Sequence, residues 1–445
     1  MHKLTQVIFV SSCFVVFIYL LRLLYPYKPF LDDYIQYGVY SLYPNPIKDI
    51  FVNAGTFTTR PLANLFDIAL FSHFGDILYI PYIFLSLMYL GFVLVLRRVL
   101  LKTDIELGML YMIVSLLCPL NIEGTVWVSA ATRIVPGLLI GSASSLILFG
   151  KKSFWRYLLF WIGNLSSLLF YEQSAVFVFL LIFLISYRQK CFLPALIAGI
   201  NCLCVAAFYL AFREYGVFSY RMSLLSAPDL SCFLVRLTQC LRAAFFTLMQ
   251  SGSIYVLPFA IVMGLYAAVH THSVRISNQK LIFGSLVAVL SLLPIALVGD
   301  YNIPFRCLVV PLVGVSILID CISMPRVSKV VAIILVTVFV SSSFVQFHRL
   351  DLSTEADKAL LSDIASVAKQ NKDKSISLYG AKSYYDHTAP NHAESIAAIT
   401  SSDWAVTGAV RNILSAPHFP MIKLNSSADI KIYLTPNAKR VDRVR

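Results

Sequence analysis

Apolar runs of about 17 to 25 residues recur along the chain, separated by short polar breaks rich in Lys and Arg. Runs of that length cross a ~30 Å hydrocarbon layer as helices. They predict about eleven spans, near 5–25, 77–96, 105–120, 134–150, 154–170, 172–187, 192–211, 254–270, 281–298, 307–322 and 330–347. The first, Val7 to Leu24, is too long for a signal-peptide core and no small-residue cleavage site follows, so it reads as a retained span. Two long loops, about 26–76 and 212–253, interrupt the series. In them Pro61 to Phe74, and the stretch bearing Arg236 and Arg242 at helical spacing, predict interfacial amphipathic helices. The expected fold class is an all-α polytopic membrane protein over residues 1–347, with a small soluble α/β domain over 348–445.

Composition narrows the class. The chain has 445 residues, of which 58% are hydrophobic and 13% charged, with a mean hydropathy of +0.76. A soluble domain of this size does not have that composition. The net charge of +13 raises the question of nucleic acid. Its distribution answers against it, because Arg97-Arg98, Lys151-Lys152, Arg188-Lys190, Arg275-Lys280 and Arg326-Lys329 fall in alternate loops. The positive-inside rule then puts those loops and the N-terminus in the cytoplasm, and the C-terminal domain outside. The nine Cys show no CxxC, zinc spacing or disulfide framework.

The opposite loops hold mixed carboxylates and guanidinium groups: Asp32, Asp33, Arg60, Glu123, Arg133, Glu172, Asp300 and Arg306. Asp32-Asp33 follow the first span directly, where a lipid headgroup would lie. A carboxylate there can deprotonate a hydroxyl nucleophile, and its bland role is to cap a helix starting at Tyr34. Arg60, before Pro61, and Arg306, at the start of the tenth span, suit bidentate phosphate binding. Their bland roles are snorkelling to headgroups and pairing with Asp300. Glu123 and Arg133 bracket Trp127, which fits a sugar-stacking face or an ordinary interfacial belt. Glu172, between two apolar spans, fits a buried role orienting an acceptor or an arginine. In the tail, His387, His392 and Glu394 match no metal-site spacing and read as loop residues.

Asp32-Asp33-Tyr34 in the first outer loop, the Arg60-Pro61 piece, later outer acids and arginines, and an outer C-terminal domain resemble the GT-C class of integral-membrane glycosyltransferases. Bacterial O-antigen glucosyltransferases and lipid A aminoarabinose transferases share this layout. The resemblance implies a bacterial inner-membrane protein and an inverting transfer. A polyprenyl-phosphate sugar would be the donor, and a cell-envelope glycan or lipid the acceptor. Asp32 or Asp33 would be the base, with Arg60 and Arg306 as phosphate ligands by location. Some relatives bind a divalent metal at this acidic pair, so a metal at Asp32/Asp33 is an open expectation.

No glycine-rich phosphate loop, HExxH, GxSxG or kinase motif is present, so a soluble nucleotide donor has no evident binding site. Three rivals remain at this point. A lipid-linked glycan flippase would carry internal repeats and midplane charges. An O-antigen-type polymerase would use outer-loop arginines such as Arg213, Arg221, Arg236 and Arg242. A non-catalytic scaffold would leave Asp32-Asp33 without a role.

Overall fold

The computed structural model describes residues 2–29, 32–35, 40–74, 77–212, 230–249, 275–296, 303–323, 325–382, 398–435 and 440–444. The expected eighth span, Arg213, Arg221, Asp300, His387, His392 and Glu394 lie outside the described residues. The molecule is mostly helical. In chain order the helices are α1 (His2–Leu24), α2 (Asp32–Ile35), α3 (Pro61–Phe74), α4 (Tyr79–Lys102), α5 (Met109–Leu117), α6 (Ile122–Thr125) and α7 (Val128–Ile147). Then come α8 (Phe154–Phe170), α9 (Glu172–Gln189), α10 (Leu193–Ala211), α11 (Leu230–Met249), α12 (Asn278–Leu290) and α13 (Leu293–Ala296). The last are α14 (Val309–Ile319), α15 (Pro325–Gln370) and α16 (Asp403–Leu414).

Six described helical segments are long and apolar enough to cross a membrane: Thr5–Leu24, Tyr79–Lys102, Val128–Ile147, Leu193–Ala211, Asn278–Ala296 and Val330–Gln370. Their outer surfaces agree. Phe9 and Leu23 on α1, Leu203 on α10, Val289 on α12 and Ile333 on α15 are all more than half exposed. Large apolar side chains placed outward along whole helices suit a lipid solvent and not water.

Several sequence expectations change here. The expected span at 105–120 is broken: α5 has nine residues and gives way to a 3-10 turn at Pro119–Asn121 and then α6. Nine residues rise only about 14 Å. The expected last span at 330–347 is instead part of α15, 46 residues long, which runs unbroken through residue 348 into the C-terminal region. Pro61–Phe74 is a helix as expected, but it is built into the bundle, with Ala63, Asp67, Ile68 and Phe71 buried against α7 and α8. The helix expected around Arg236 and Arg242 is α11; it packs on α15, where Ser342 donates to the Thr247 carbonyl at 2.9 Å.

The loops sort to two ends. At one, Arg188 pairs with Asp104 (3.8 Å), and Gln189 donates to the Leu148 carbonyl. There too Lys280 pairs with Asp320 (2.7 Å), which also accepts from the Gly108 and Tyr111 amides. A short antiparallel pair, β1 (Arg275–Ile276) with β2 (Ile322–Ser323), lies at this end. These are the cation-rich loops. The mixed-charge loops meet at the other end, beneath the C-terminal region. That region has a four-stranded sheet in the order β4-β3-β5-β6, formed by β3 (Ile376–Tyr379), β4 (Lys423–Leu424), β5 (Ile430–Leu434) and β6 (Val441–Val444). β3 is parallel to β4 and β5, and β6 is antiparallel to β5. Ile376, Leu378, Ile432 and Leu434 face Leu360 and Ile364 of α15 and Val406 and Val410 of α16. The same core takes in Tyr34, Trp127 and Ala130 from the bundle, so the two parts share one apolar interface.

Candidate functional site

The site is organised by the start of α7. The first amides of a helix have no partner within it, and the residue before α7 is Trp127, which offers no side-chain cap. The partners come from the first loop. The Val128 amide donates to the Tyr27 hydroxyl (3.0 Å), and the Ser129 amide to Asp33 Oδ1 (3.0 Å). The Tyr27 hydroxyl donates in turn to Asp33 Oδ2 (2.6 Å). A carboxylate at a helix start is favoured by the helix dipole, and Asp33, 0% exposed, stands at that position inside the protein. Burial and the Asp33 charge push the Tyr27 hydroxyl well above its ordinary pKa, which keeps it a donor. Asp33 is thus a cap, though of α7 and not of the helix at Tyr34. Asp32 opens α2, of which it is described in the backbone only; α2 packs between the start of α7 and α16.

Trp127 is 1% exposed, and the Arg306 guanidinium lies 5.1 Å from its ring centroid. It is neither an interfacial belt residue nor an open stacking face: it is buried under an arginine. Arg306 sits in a 3-10 turn, Phe305–Leu308, packed on α6, where Glu123 is 2% exposed. Gly124 permits this approach, since a Cβ there would run into Val309 and come within 3.3 Å of the Arg306 carbonyl.

Arg60 and Glu172, 112 positions apart, form an ion pair: Nε reaches Oε2 at 2.7 Å and Oε1 at 2.9 Å. The guanidinium also lies over the Tyr171 ring, 4.9 Å from its centroid. Arg60 has φ +50°, a left-handed conformation that costs a non-glycine residue about 1 kcal/mol or more. Its carbonyl accepts the Asn64 amide, and the Asn64 side chain donates to the Thr56 and Thr59 carbonyls, which locks the bend. The sequence predicts a buried Glu172 that orients an acceptor or an arginine; Glu172 does contact an arginine, but its side chain is 36% exposed.

Arg133 stands apart from the others. It lies about 6 Å further along α7 than Ser129 and faces Asp67 of α3, with Nε to Oδ2 at 3.7 Å. Asp67, 0% exposed, escaped sequence reading. Its signal was there: it is the only acid within Pro61–Phe74, and an acid inside an apolar helix demands a partner. Gln173 was also missed; it donates to the Ser291 and Cys307 carbonyls. Tyr27 carries no sequence signal beyond its place in an aromatic loop.

Compared with protein-family models, curated proteins and solved structures, the chain matches none.

Two clefts adjoin this end. One, with room for little more than a water, is lined by Tyr25, Tyr27, Lys28, Leu350, Asp351 and Thr354. The other, equally narrow, runs between α1, α5, α6 and α15 and is lined mainly by apolar groups such as Phe14, Ile18, Leu21 and Phe347. Lys28 bridges the first loop to α15, reaching Asp351 at 2.7 Å and Glu355 at 3.2 Å. Among the described residues no three His, Cys, Asp or Glu side chains gather as a metal site. Both Asp33 oxygens already accept hydrogen bonds. The described donors do not make a divalent-cation site.

Proposed function

We propose that the protein is a membrane glycosyltransferase of GT-C-like architecture with about eleven spans. It moves a sugar from a polyprenyl phosphate to a glycan or lipid acceptor at the outer face of a bacterial cytoplasmic membrane. The observation that carries the reading is the gathering, at one end of the bundle, of the Asp33 carboxylate and two arginines that lie far apart in sequence, beneath the C-terminal region. A scaffold has no need of a buried carboxylate, a strained arginine and a stacked guanidinium in one place.

Asp33 is committed to α7, so the base is Asp32. Its carboxylate takes the proton of the acceptor hydroxyl. The resulting oxygen attacks the anomeric carbon, and the bond from that carbon to the phosphate oxygen breaks with its electron pair on the phosphate. Arg306 and Arg60 neutralise the lipid phosphate as it leaves. It is already an anion, so no protonating acid is required.

The test is transfer from a polyprenyl-phosphate sugar by the purified full-length protein in lipid nanodiscs. Asp32→Asn should lower turnover on the order of 10²–10⁴-fold with the thermal midpoint unchanged. Normal turnover in Asp32→Asn would defeat the mechanism.

A further inference from the structure

Gln173 is 3% exposed, and each polar atom of its carboxamide is engaged. Nε2 donates to the Ser291 carbonyl at 3.0 Å and to the Cys307 carbonyl at 2.8 Å, while Oε1 accepts from the Tyr171 hydroxyl at 3.0 Å. Ser291 and Cys307 stand at the two feet of the segment that carries Asp300 and Arg306. One planar group therefore fastens both feet. Only a carboxamide of this length does so, since Glu has no hydrogens to donate and Met has neither donor nor strong acceptor.

The neighbours of Gln173 hold the other arginine. Glu172 pairs with Arg60, and Tyr171 lies under the Arg60 guanidinium. Three consecutive residues thus grip Arg60 on one side and the foot of Arg306 on the other. Both guanidinium groups are within electrostatic reach of the Tyr171 hydroxyl: burial pushes its pKa up, and the charges of Arg60 and Arg306 each oppose that. The chain between Tyr171 and Gln173 is the start of α9, a rigid element. Nothing in the catalytic scheme above uses Gln173.

We propose that Gln173 is a positioning residue that sets the separation of the Arg60 and Arg306 guanidinium groups, and through it their fit to a lipid phosphate. The phosphate itself rests on the function proposed above; the fastening of the two loop feet does not.

Two measurements on the full chain in zwitterionic nanodiscs separate these layers. The first is hydrogen exchange at the backbone amides of 303–309 in Gln173→Met. Exchange there rises while α10 is unaffected; unchanged exchange would show that the carboxamide fastens nothing. The second is the dissociation constant for farnesyl phosphate. Losing the three hydrogen bonds of the carboxamide raises it about 10-fold in Gln173→Met, and less than about 2-fold when Arg306→Ala is already present. An equal effect in both backgrounds means that Gln173 does not act through Arg306, and overturns the proposal. Tyr171→Phe, which keeps the ring beneath Arg60 but removes the hydroxyl that holds Oε1, gives a milder loss in the same direction and stands in should Gln173→Met fail to fold. A wild-type protein that binds no farnesyl phosphate defeats the transferase reading and the phosphate half of this proposal. The exchange result still decides the clamp.

Discussion

Asp33→Ala separates a structural carboxylate from a catalytic one. The substitution removes the acceptor of the Ser129 amide and of the Tyr27 hydroxyl, both inside the protein. The lost cap costs about 1 kcal/mol, and the lost charge at the start of α7 about 0.3–1 kcal/mol. A buried hydroxyl left without its acceptor costs about 1–3 kcal/mol. Together the loss is about 2–5 kcal/mol. Asp33→Asn keeps one oxygen and caps about as well, so by the same terms it loses chiefly the charge, about 0.3–1 kcal/mol. The assay is the thermal unfolding midpoint in nanodiscs, read beside sugar transfer at a temperature where the variant is folded. Stability falls in the order wild type, Asn, Ala, and the folded variants keep most of their turnover. If Asp33→Ala melts with the wild type yet transfers nothing, the cap assignment is refuted and Asp33 becomes the base.

Three further outcomes follow from the same contacts. Arg60→Ala and Glu172→Ala should each weaken lipid-phosphate binding, about 10-fold or more, and the double variant should be little worse than either single one, because each removes the same ion pair; additive losses in a double-mutant cycle would contradict this. Gly124→Ala should destabilise the protein by about 1–3 kcal/mol through overlap with Val309, and a neutral effect on the unfolding midpoint would mean that α6 and the Arg306 turn can part freely. Burial disfavours the Lys28 ammonium, but Asp351 and Glu355 outweigh it and raise its pKa. The clasp is therefore fully present below the usual 10.5 and is lost only as pH rises through the still higher folded value. Protease sensitivity of the C-terminal region should accordingly stay flat through neutral pH, and should rise in Lys28→Ala, by under ~1 kcal/mol of protection for so exposed a pair.

Sequence reading reached what depends on local pattern. Hydropathy located α1, α4, α7, α10 and α12, and charge alternation sorted the loops into the two groups that meet at opposite ends. It could not see that the stretch after Asp104 breaks into α5, a 3-10 turn and α6, because a short helix and a span have the same apolar composition. Pairing was hidden for a different reason. Arg60 meets Glu172 across 112 positions and Asp33 meets Ser129 across 96, and no local spacing encodes such contacts. Trp127 was misjudged because an aromatic near a span end is ordinary at a lipid interface; only the packing of Tyr34 and the C-terminal core over it decides burial.

The unbroken course of α15 has a mechanical consequence. The helix enters the lipid-facing bundle at one end and forms a wall of the C-terminal core at the other, with no hinge between. It is a lever. The part beyond residue 348 is about 33 Å long, so a change of 5° in tilt, of the kind bilayer thickness imposes on a spanning helix, displaces its tip by about 3 Å. Lys28 bears against that arm directly, and α2 packs on α16, which rests on it. The thickness of the surrounding membrane is thereby transmitted, through a single rigid rod, to the height of the ceiling above Asp32 and Asp33.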